Sequence, residues 1–271
     1  MSKVRHVLGI SGGKDSAALS IYLKQKHPEL SVEYYFTDTG KELDETYDVL
    51  NRLESFLGQT ILKLNSVEGS NEDPFDHFLK LYGGYLPSST ARWCTKKLKL
   101  EPFEDFVGDD PVISYVGIRG DEDREGYISK KSNIQSIFPF RRNIWSEDVV
   151  KLILKSESKE ALRKLANEFG NSDKSNGFQN ILDKPLSFAY NATQKLNALL
   201  DLDTKLFNRI VFEFLKGTDY PVGKLDEFPL IDNDDTLVRE DIFKLLRESG
   251  VGVPEYYEKR DYQVEGKKGQ Y

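Results

Sequence analysis

The sequence predicts an α/β protein, a doubly wound and mostly parallel sheet carrying a helical insertion. Three observations lead there. The apolar run Val4–Ile10 ends in a glycine-rich turn and passes straight into a helical pattern. Short apolar runs and amphipathic helical stretches then alternate as far as Ile118. From about Ser146 to Asp219 the strand-like runs cease and helical periodicity takes over.

In order along the chain, Val4–Ile10 is the kind of segment that a parallel sheet buries on both faces, and Ala18, Ile21 and Tyr22 begin the first helix. Val32–Phe36 reads as a second strand. Leu43, Tyr47, Leu50, Leu53 and Leu57 follow at helical spacing, predicting a helix with one face packed on the sheet. Thr60–Leu64 is a third strand candidate, followed by a Gly- and Ser-containing loop, a helix around Thr95–Val107 and the apolar run Val112–Ile118. Within the helical stretch, Leu162, Leu165 and Phe169 and later Leu206, Ile210, Phe214 and Leu215 mark inward faces, while Gly170–Gly177 reads as an exposed loop. Asp241–Ser249 is a last helix, ahead of Gly250-Val251-Gly252-Val253-Pro254 and an aromatic, charged tail. The expected organisation is an α/β domain over 1–145 that holds the chain's ligand site, a helical insertion or subdomain over 146–220, and a segment over 221–271 that completes the α/β domain.

A chain of 271 residues, 38% hydrophobic, is long enough to bury a substantial core. No apolar run reaches the roughly 18 residues of a membrane span, and the first residues do not read as a signal peptide, so a cytoplasmic location without membrane association is expected. Cys94 is the single cysteine, which excludes an intramolecular disulfide and a cysteine-rich zinc or iron–sulfur site built from this chain alone. The formal net charge of -7 argues against non-specific nucleic-acid binding. Two local basic clusters, Arg92/Lys96/Lys97/Lys99 and Lys259/Arg260/Lys267/Lys268, fit either a DNA-facing groove or a solvated mixed-charge surface.

The chemistry concentrates in Ser11-Gly12-Gly13-Lys14-Asp15-Ser16. Two glycines let the backbone approach an anion, and the helix that follows offers unpaired N–H groups and the positive end of its dipole. Ser11 and Ser16 add hydroxyls, Lys14 adds a charge, and Asp15 is placed to orient donors or hold Mg2+ among phosphate oxygens. A Walker A loop is excluded, because it needs four residues between its glycines and Ser or Thr directly after Gly-Lys. Gly9 and Gly13 enclose too few, and Asp15 follows the lysine. Thr37, Asp38 and Arg119 lie past strand ends, where α/β sheets bind ligands, and a guanidinium fork suits a phosphate; a satisfied loop residue or a surface salt bridge is the alternative for Asp38 and Arg119. Trp93 and Trp145 read as packing residues.

The loop resembles the SGGxDS signature of the PP-loop ATP pyrophosphatases, an adenine nucleotide alpha hydrolase-like fold, and further segments resemble the phosphoadenosine phosphosulfate reductase-like branch. Those segments are Phe36-Thr37-Asp38-Thr39-Gly40, Arg92-Trp93-Cys94-Thr95-Lys96-Lys97-Leu98-Lys99, Gly117-Ile118-Arg119-Gly120-Asp121-Glu122, and Phe228-Pro229-Leu230 followed by Val238–Leu246 and Gly250–Tyr257. The resemblance implies ATP and Mg2+ as ligands, with Ser11, Gly12, Gly13, Lys14, Asp15, Ser16, Thr37, Asp38, Gly117 and Arg119 holding the nucleotide. It implies Arg92, Lys96 and Lys97 on the substrate side and adenylation of an acceptor with loss of pyrophosphate. Cys94 fits either a sulfur carrier, its thiolate favoured by Arg92 and Lys96, or an inert thiol.

Within the branch, Tyr127-Ile128-Ser129 and Pro254-Glu255-Tyr256-Tyr257-Glu258-Lys259 are similar to the reductase-like proteins of DNA phosphorothioation and phage-defence systems. A cysteine-containing segment often follows the Tyr-Tyr element in those relatives; up to Tyr271 this chain has none, either because this member lacks it or because the sequence is cut before it. The resemblance therefore implies a cysteine desulfurase as the outside sulfur donor and a DNA backbone phosphate as acceptor. A tRNA or sulfonucleotide acceptor, or an ATP-binding regulatory subunit, are the alternatives.

Overall fold

The computed structural model describes residues 3–67, 72–124, 129–257, 261–264 and 267–270. Five strands form one all-parallel sheet: β1 (Arg5–Gly9), β2 (Val32–Thr37), β3 (Leu62–Leu64), β4 (Val112–Tyr115) and β5 (Ile134–Ile137), in the order β3-β2-β1-β4-β5. The order reverses at β1, and it is the carboxyl end of β1 that leads into the glycine loop. Doubly wound sheets hold ligands at such a switch point. A separate antiparallel pair joins β6 (Asp261–Val264) to β7 (Lys267–Gln270).

By contact density the chain divides into two units, one of residues 1–9, 25–33 and 107–239, the other of residues 10–24, 34–106 and 240–271. In the first, β4 pairs with β1 and β5, with Leu8 opposite Tyr115 and Tyr115 opposite Ile137. Val7, Leu8, Val112, Ile113 and Ile137 are fully buried, as expected of strands covered on both faces. Arg5 pairs with Glu33 at 2.8 Å and with Asp110 at 3.4 Å.

The helices of this unit are α6 (Glu147–Ile153), α7 (Lys159–Phe169), α8 (Ser172–Asp183) and α9 (Ala192–Leu215), numbered after five helices of the other unit. Leu162 and Ala166 of α7, Phe178 and Leu182 of α8, and Leu199, Phe207 and Ile210 of α9 are buried. Asn191 and Gln194 form a reciprocal capping box at the start of α9. At Asp203 the backbone of α9 is extended, and the Asp203 carboxylate accepts from the Leu206 amide at 2.9 Å, so a second helical stretch starts there. Lys195 is buried and donates to the carbonyls of Leu182 and Lys184 at 2.7 and 2.6 Å, closing the end of α8; burial lowers its pKa.

The expectation of a loop over Gly170–Gly177 is corrected by α8. Its polar composition conceals a cap and an inward face: Asn171 accepts from the Lys174 amide at 2.9 Å, and Ser175 is buried with its hydroxyl donating to Asn167. Gly177 permits the approach of Leu202, since a Cβ there would lie 3.0 Å from a Leu202 methyl.

The second unit contains α1 (Lys14–Lys26), α2 (Asp44–Leu57), α3 (Pro74–Leu81), the turn α4 (Trp93–Thr95), a π-helical segment Lys96–Leu100, α5 (Glu101–Val107) and α10 (Arg239–Glu248). Helix α1 buries Ala17 through Leu23 without a break. In α2, Leu50, Leu53 and Leu57 face inward as predicted, but Leu43 stands before the helix and is 56% exposed; Thr46 and Val49 take that side of the face instead. Helix α3 and strand β5 were not anticipated. The expected helix Thr95–Val107 is present as a composite of α4, the π segment and α5. Expectations resting on Tyr127, Ile128, Glu258, Lys259 and Arg260 lie outside the described residues.

Candidate active site

Ile10, first residue after β1, donates its amide to the Tyr35 carbonyl of β2 at 2.7 Å, and the chain then turns through Ser11-Gly12-Gly13 into α1. Gly12 has φ +74°, which a side chain rarely adopts, and a Cβ at that position would lie 2.4 Å from the Thr46 methyl. The loop satisfies itself: the Ser11 amide donates to the Ser16 hydroxyl at 3.1 Å, which donates to the Gly13 carbonyl at 3.1 Å. The Ser11 and Ser16 hydroxyls are 3.1 Å apart, and the Gly13 amide reaches the Ser11 hydroxyl only at 3.4 Å. The first-turn amides of α1 have no intrahelical acceptor, so an anion here meets amides, hydroxyls and a dipole end together.

Lys14 and Asp15 form an ion pair at 2.8 Å, with side chains 12% and 21% exposed. The Lys14 ammonium also lies 4.8 Å from the centre of the Tyr257 ring, and the Tyr256 hydroxyl donates to the Gly12 carbonyl at 2.7 Å. These two tyrosines stand in a 3-10 turn, Glu255–Tyr257, and no site role was assigned to them from the sequence.

Thr37 closes β2, paired with Leu64 of β3. Asp38 follows, its amide donating to the Leu64 carbonyl at 3.1 Å and one carboxylate oxygen accepting from the Gly40 amide and the Tyr47 hydroxyl, both at 2.9 Å. Burial and the Asp38 carboxylate push the Tyr47 phenol up to about 12. Asp38 thus shapes the turn after β2 in addition to standing at a strand end.

The Cys-Thr-x-x-Leu-Lys element forms α4 and the π segment, a helix form frequent at functional sites. Trp93 anchors it as a packing residue, its ring 5.3 Å from those of Phe75 and Tyr82 and its indole donating to the Tyr85 carbonyl. Cys94 is a half-buried free thiol, and Arg92 and Lys96 are exposed. Lys97 is paired with both oxygens of Glu101, at 2.9 and 2.8 Å, and that hydrogen bond raises its pKa. Lys97 and Glu101 line a cavity of about 510 Å³ with Lys63, Leu64 and Asn65 at the end of β3.

Gly117 and Arg119, which follow β4, belong to the other unit. The Arg119 guanidinium pairs with Asp121 at 2.9 Å and Glu122 at 2.6 Å and is 12% exposed. Burial works against the ionised Asp121, but the hydrogen bond and charge of Arg119 outweigh it and lower its pKa. Arg141, overlooked in the sequence, donates to the carbonyls of Arg119, Glu122 and Arg124 and so holds this turn. Among the described residues no group of three or more His, Cys, Asp or Glu side chains is arranged to hold a metal ion, and no helix is long and apolar enough to cross a membrane.

A family model for the phosphoadenosine phosphosulfate reductase domain matches residues 5–166, more than half of the chain, a span containing the glycine loop, the turn after β2, the Cys94 element and Arg119. An uncharacterised protein of Methanocaldococcus jannaschii is 34% identical over 145 residues, 49% of this chain and 28% of the relative, so the match spans little more than a quarter of that protein. The crystal structure of a phosphoadenylyl-sulfate reductase from Candida auris, solved as a phosphate complex, is 18% identical with a TM-score of 0.39, covering 56% of this chain and 70% of that one. With the matched span taking in the glycine loop and the strands around it, the chain belongs to the phosphoadenosine phosphosulfate reductase domain family, whose members work on nucleotides and sulfur.

Proposed function

We propose that the chain is an ATP pyrophosphatase that adenylates an acceptor and so prepares it for sulfur transfer. The observation that carries this is the loop after β1: Gly12 in a left-handed conformation, Ser11 and Ser16 hydroxyls, Lys14 and the first-turn amides of α1 gathered on one turn. Such a turn grips terminal phosphates and leaves the α-phosphorus open to attack. An acceptor oxygen forms a new bond to the α-phosphorus, the bond from that phosphorus to the bridging oxygen breaks, and pyrophosphate leaves with the electron pair. Lys14, the Gly13 amide and the Ser11 and Ser16 hydroxyls stabilise the departing charge.

Asp15, ion-paired with Lys14 at 2.8 Å, is the loop carboxylate that would hold a magnesium ion, whose remaining oxygens would come from phosphates and water. When bound it supplies charge neutralisation on the phosphate oxygens. Arg119 carries over as a candidate from the Gly-Ile-Arg resemblance, but no step is assigned to it, its guanidinium being committed to Asp121 and Glu122.

The acceptor we favour is a DNA backbone phosphate, from the resemblance of the tyrosine-containing closing segment. A persulfide delivered by a cysteine desulfurase would attack the acceptor phosphorus with its outer sulfur, forming a P–S bond as the P–O bond to AMP breaks, and an external thiol reductant would then cleave the S–S bond to leave the sulfur on the acceptor. Cys94, half-buried between exposed Arg92 and Lys96, is the group on this chain suited to receive that sulfur. The test uses ATP labelled at the α-phosphate, with magnesium and duplex DNA. The expected result is label transferred to DNA and pyrophosphate released, with both falling about 10²- to 10³-fold in Lys14→Ala. Label appearing on tRNA instead reassigns the acceptor, and tight ATP binding without pyrophosphate under any condition contradicts the enzymatic reading.

A further inference from the structure

Consecutive residues of the Glu255–Tyr257 turn reach the two parts of the phosphate loop that bind anions, its backbone and its lysine. The Tyr256 hydroxyl donates to the Gly12 carbonyl at 2.7 Å across 244 residues of chain. A peptide unit is planar and trans, so the Gly12 carbonyl and the Gly13 amide point in opposite directions. Tying the carbonyl on one side fixes the direction in which the Gly13 N–H is offered on the other. Thr46 supports the same point: its methyl fills the space beside Gly12, and its side chain hydrogen-bonds Tyr256.

Tyr257 acts on the side chain instead. Its ring lies 4.8 Å from the Lys14 ammonium, packs edge-on to Phe243 of α10 at 6.3 Å and stands 4.8 Å from the Tyr256 ring. A ring face attracts the ammonium without neutralising it, so Lys14 loses side-chain freedom but keeps its charge. The base of the turn is itself held. Arg52 of α2 donates to the Val251 carbonyl at 2.7 Å, and the Gly252 amide donates to the Leu246 carbonyl at 2.9 Å.

We propose that Tyr256 and Tyr257 are positioning residues of the phosphate site, Tyr256 aiming the Gly13 amide through its hydroxyl and Tyr257 holding Lys14 through its ring. This rests on the reading of the loop as a nucleotide phosphate site. The two roles demand opposite responses to the same substitution, because phenylalanine removes a hydroxyl and keeps a ring.

Isothermal titration calorimetry with inorganic pyrophosphate and with ATP, both in magnesium, tests it. Tyr256→Phe is expected to weaken both ligands about threefold to tenfold, the range of one lost hydrogen bond. Tyr257→Leu is expected to weaken them about threefold to thirtyfold, and Tyr257→Phe to recover most of that loss. Thermal unfolding checks each variant, and if Tyr257→Leu does not fold, Tyr256→Phe alone decides. Wild-type affinity in Tyr256→Phe, or a loss in Tyr257→Phe as large as in Tyr257→Leu, overturns the proposal while leaving the nucleotide site standing. A wild-type chain that binds neither ligand overturns both.

Discussion

Between Glu147 and Leu215 successive turns of helix bury side chains such as Val149, Leu162, Phe178, Leu199 and Phe207, and asparagine caps at Asn171 and Asn191 close the helix starts. From Ser11 to Ser16 only Gly12 is buried, and the hydroxyls and amides bond one another at 3.1 to 3.4 Å. The helical stretch spends its sequence on burial, each apolar side chain contributing about 1.5–3 kcal/mol. The loop holds polar groups in arrangements that a better acceptor, such as a phosphate, would take over. Substitutions in the first region should therefore register in stability, and those in the second in ligand binding and turnover.

The largest expected effect is Phe207→Ala, which empties a fully packed position on α9. A loss of about 3–5 kcal/mol in urea unfolding is expected. A loss under about 1 kcal/mol would mean that the helical stretch is not held by its core.

Next comes strand β1. Burial, with a smaller contribution from Lys3, lowers the His6 imidazole to about 4, and its Nδ1 is hydrogen-bonded to the Tyr115 hydroxyl at 2.8 Å. Above pH 6.5 His6 is neutral in both folded and unfolded chains. As pH falls from there towards 4, the unfolded chain takes up the proton and the folded one does not, so stability drops by up to about 3 kcal/mol and levels off below. His6→Asn should flatten that part of the pH profile, and an unchanged profile would remove His6 as its cause.

The smallest effect on stability is expected in the loop. Ser11→Ala removes an exposed hydroxyl and should change unfolding free energy by about 0.5 kcal/mol or less. Pyrophosphate release should nevertheless fall at least about tenfold. A variant as active as wild type would erase the contrast between the two regions.

Much of the fold was legible because its signals are local. The glycine loop, the strands β1, β2 and β4 and the inward faces of α2 and α9 follow from a few residues each. Strand β5 escaped because Gln135 and Ser136 look like loop residues. Both are buried, and Gln135 accepts from the Val222 amide at 2.9 Å, a partner distant in sequence. Helix α3 carried a readable start in Asp73-Pro74 that the surrounding polar residues masked. Helix α8 was hidden by its glycine and serines, which serve close packing and a buried hydrogen bond. In the candidate site the strand–loop–helix geometry around Gly12 was legible, whereas the contacts of Tyr256 and Tyr257 join opposite ends of the chain and have no local signature. The Gly-Ile-Arg motif indicated Arg119 and left a salt bridge open as its alternative role; the folded turn, held by Arg141, pairs it with Asp121 and Glu122.

The most direct test of the central claim is the product pair formed from magnesium ATP in the presence of DNA. Cleavage next to the α-phosphorus gives AMP, free or attached to the acceptor, together with pyrophosphate, and both should disappear in Asp15→Ala. ADP and inorganic phosphate as the products would mean that the loop after β1 directs attack to the γ-phosphorus, and would contradict the account.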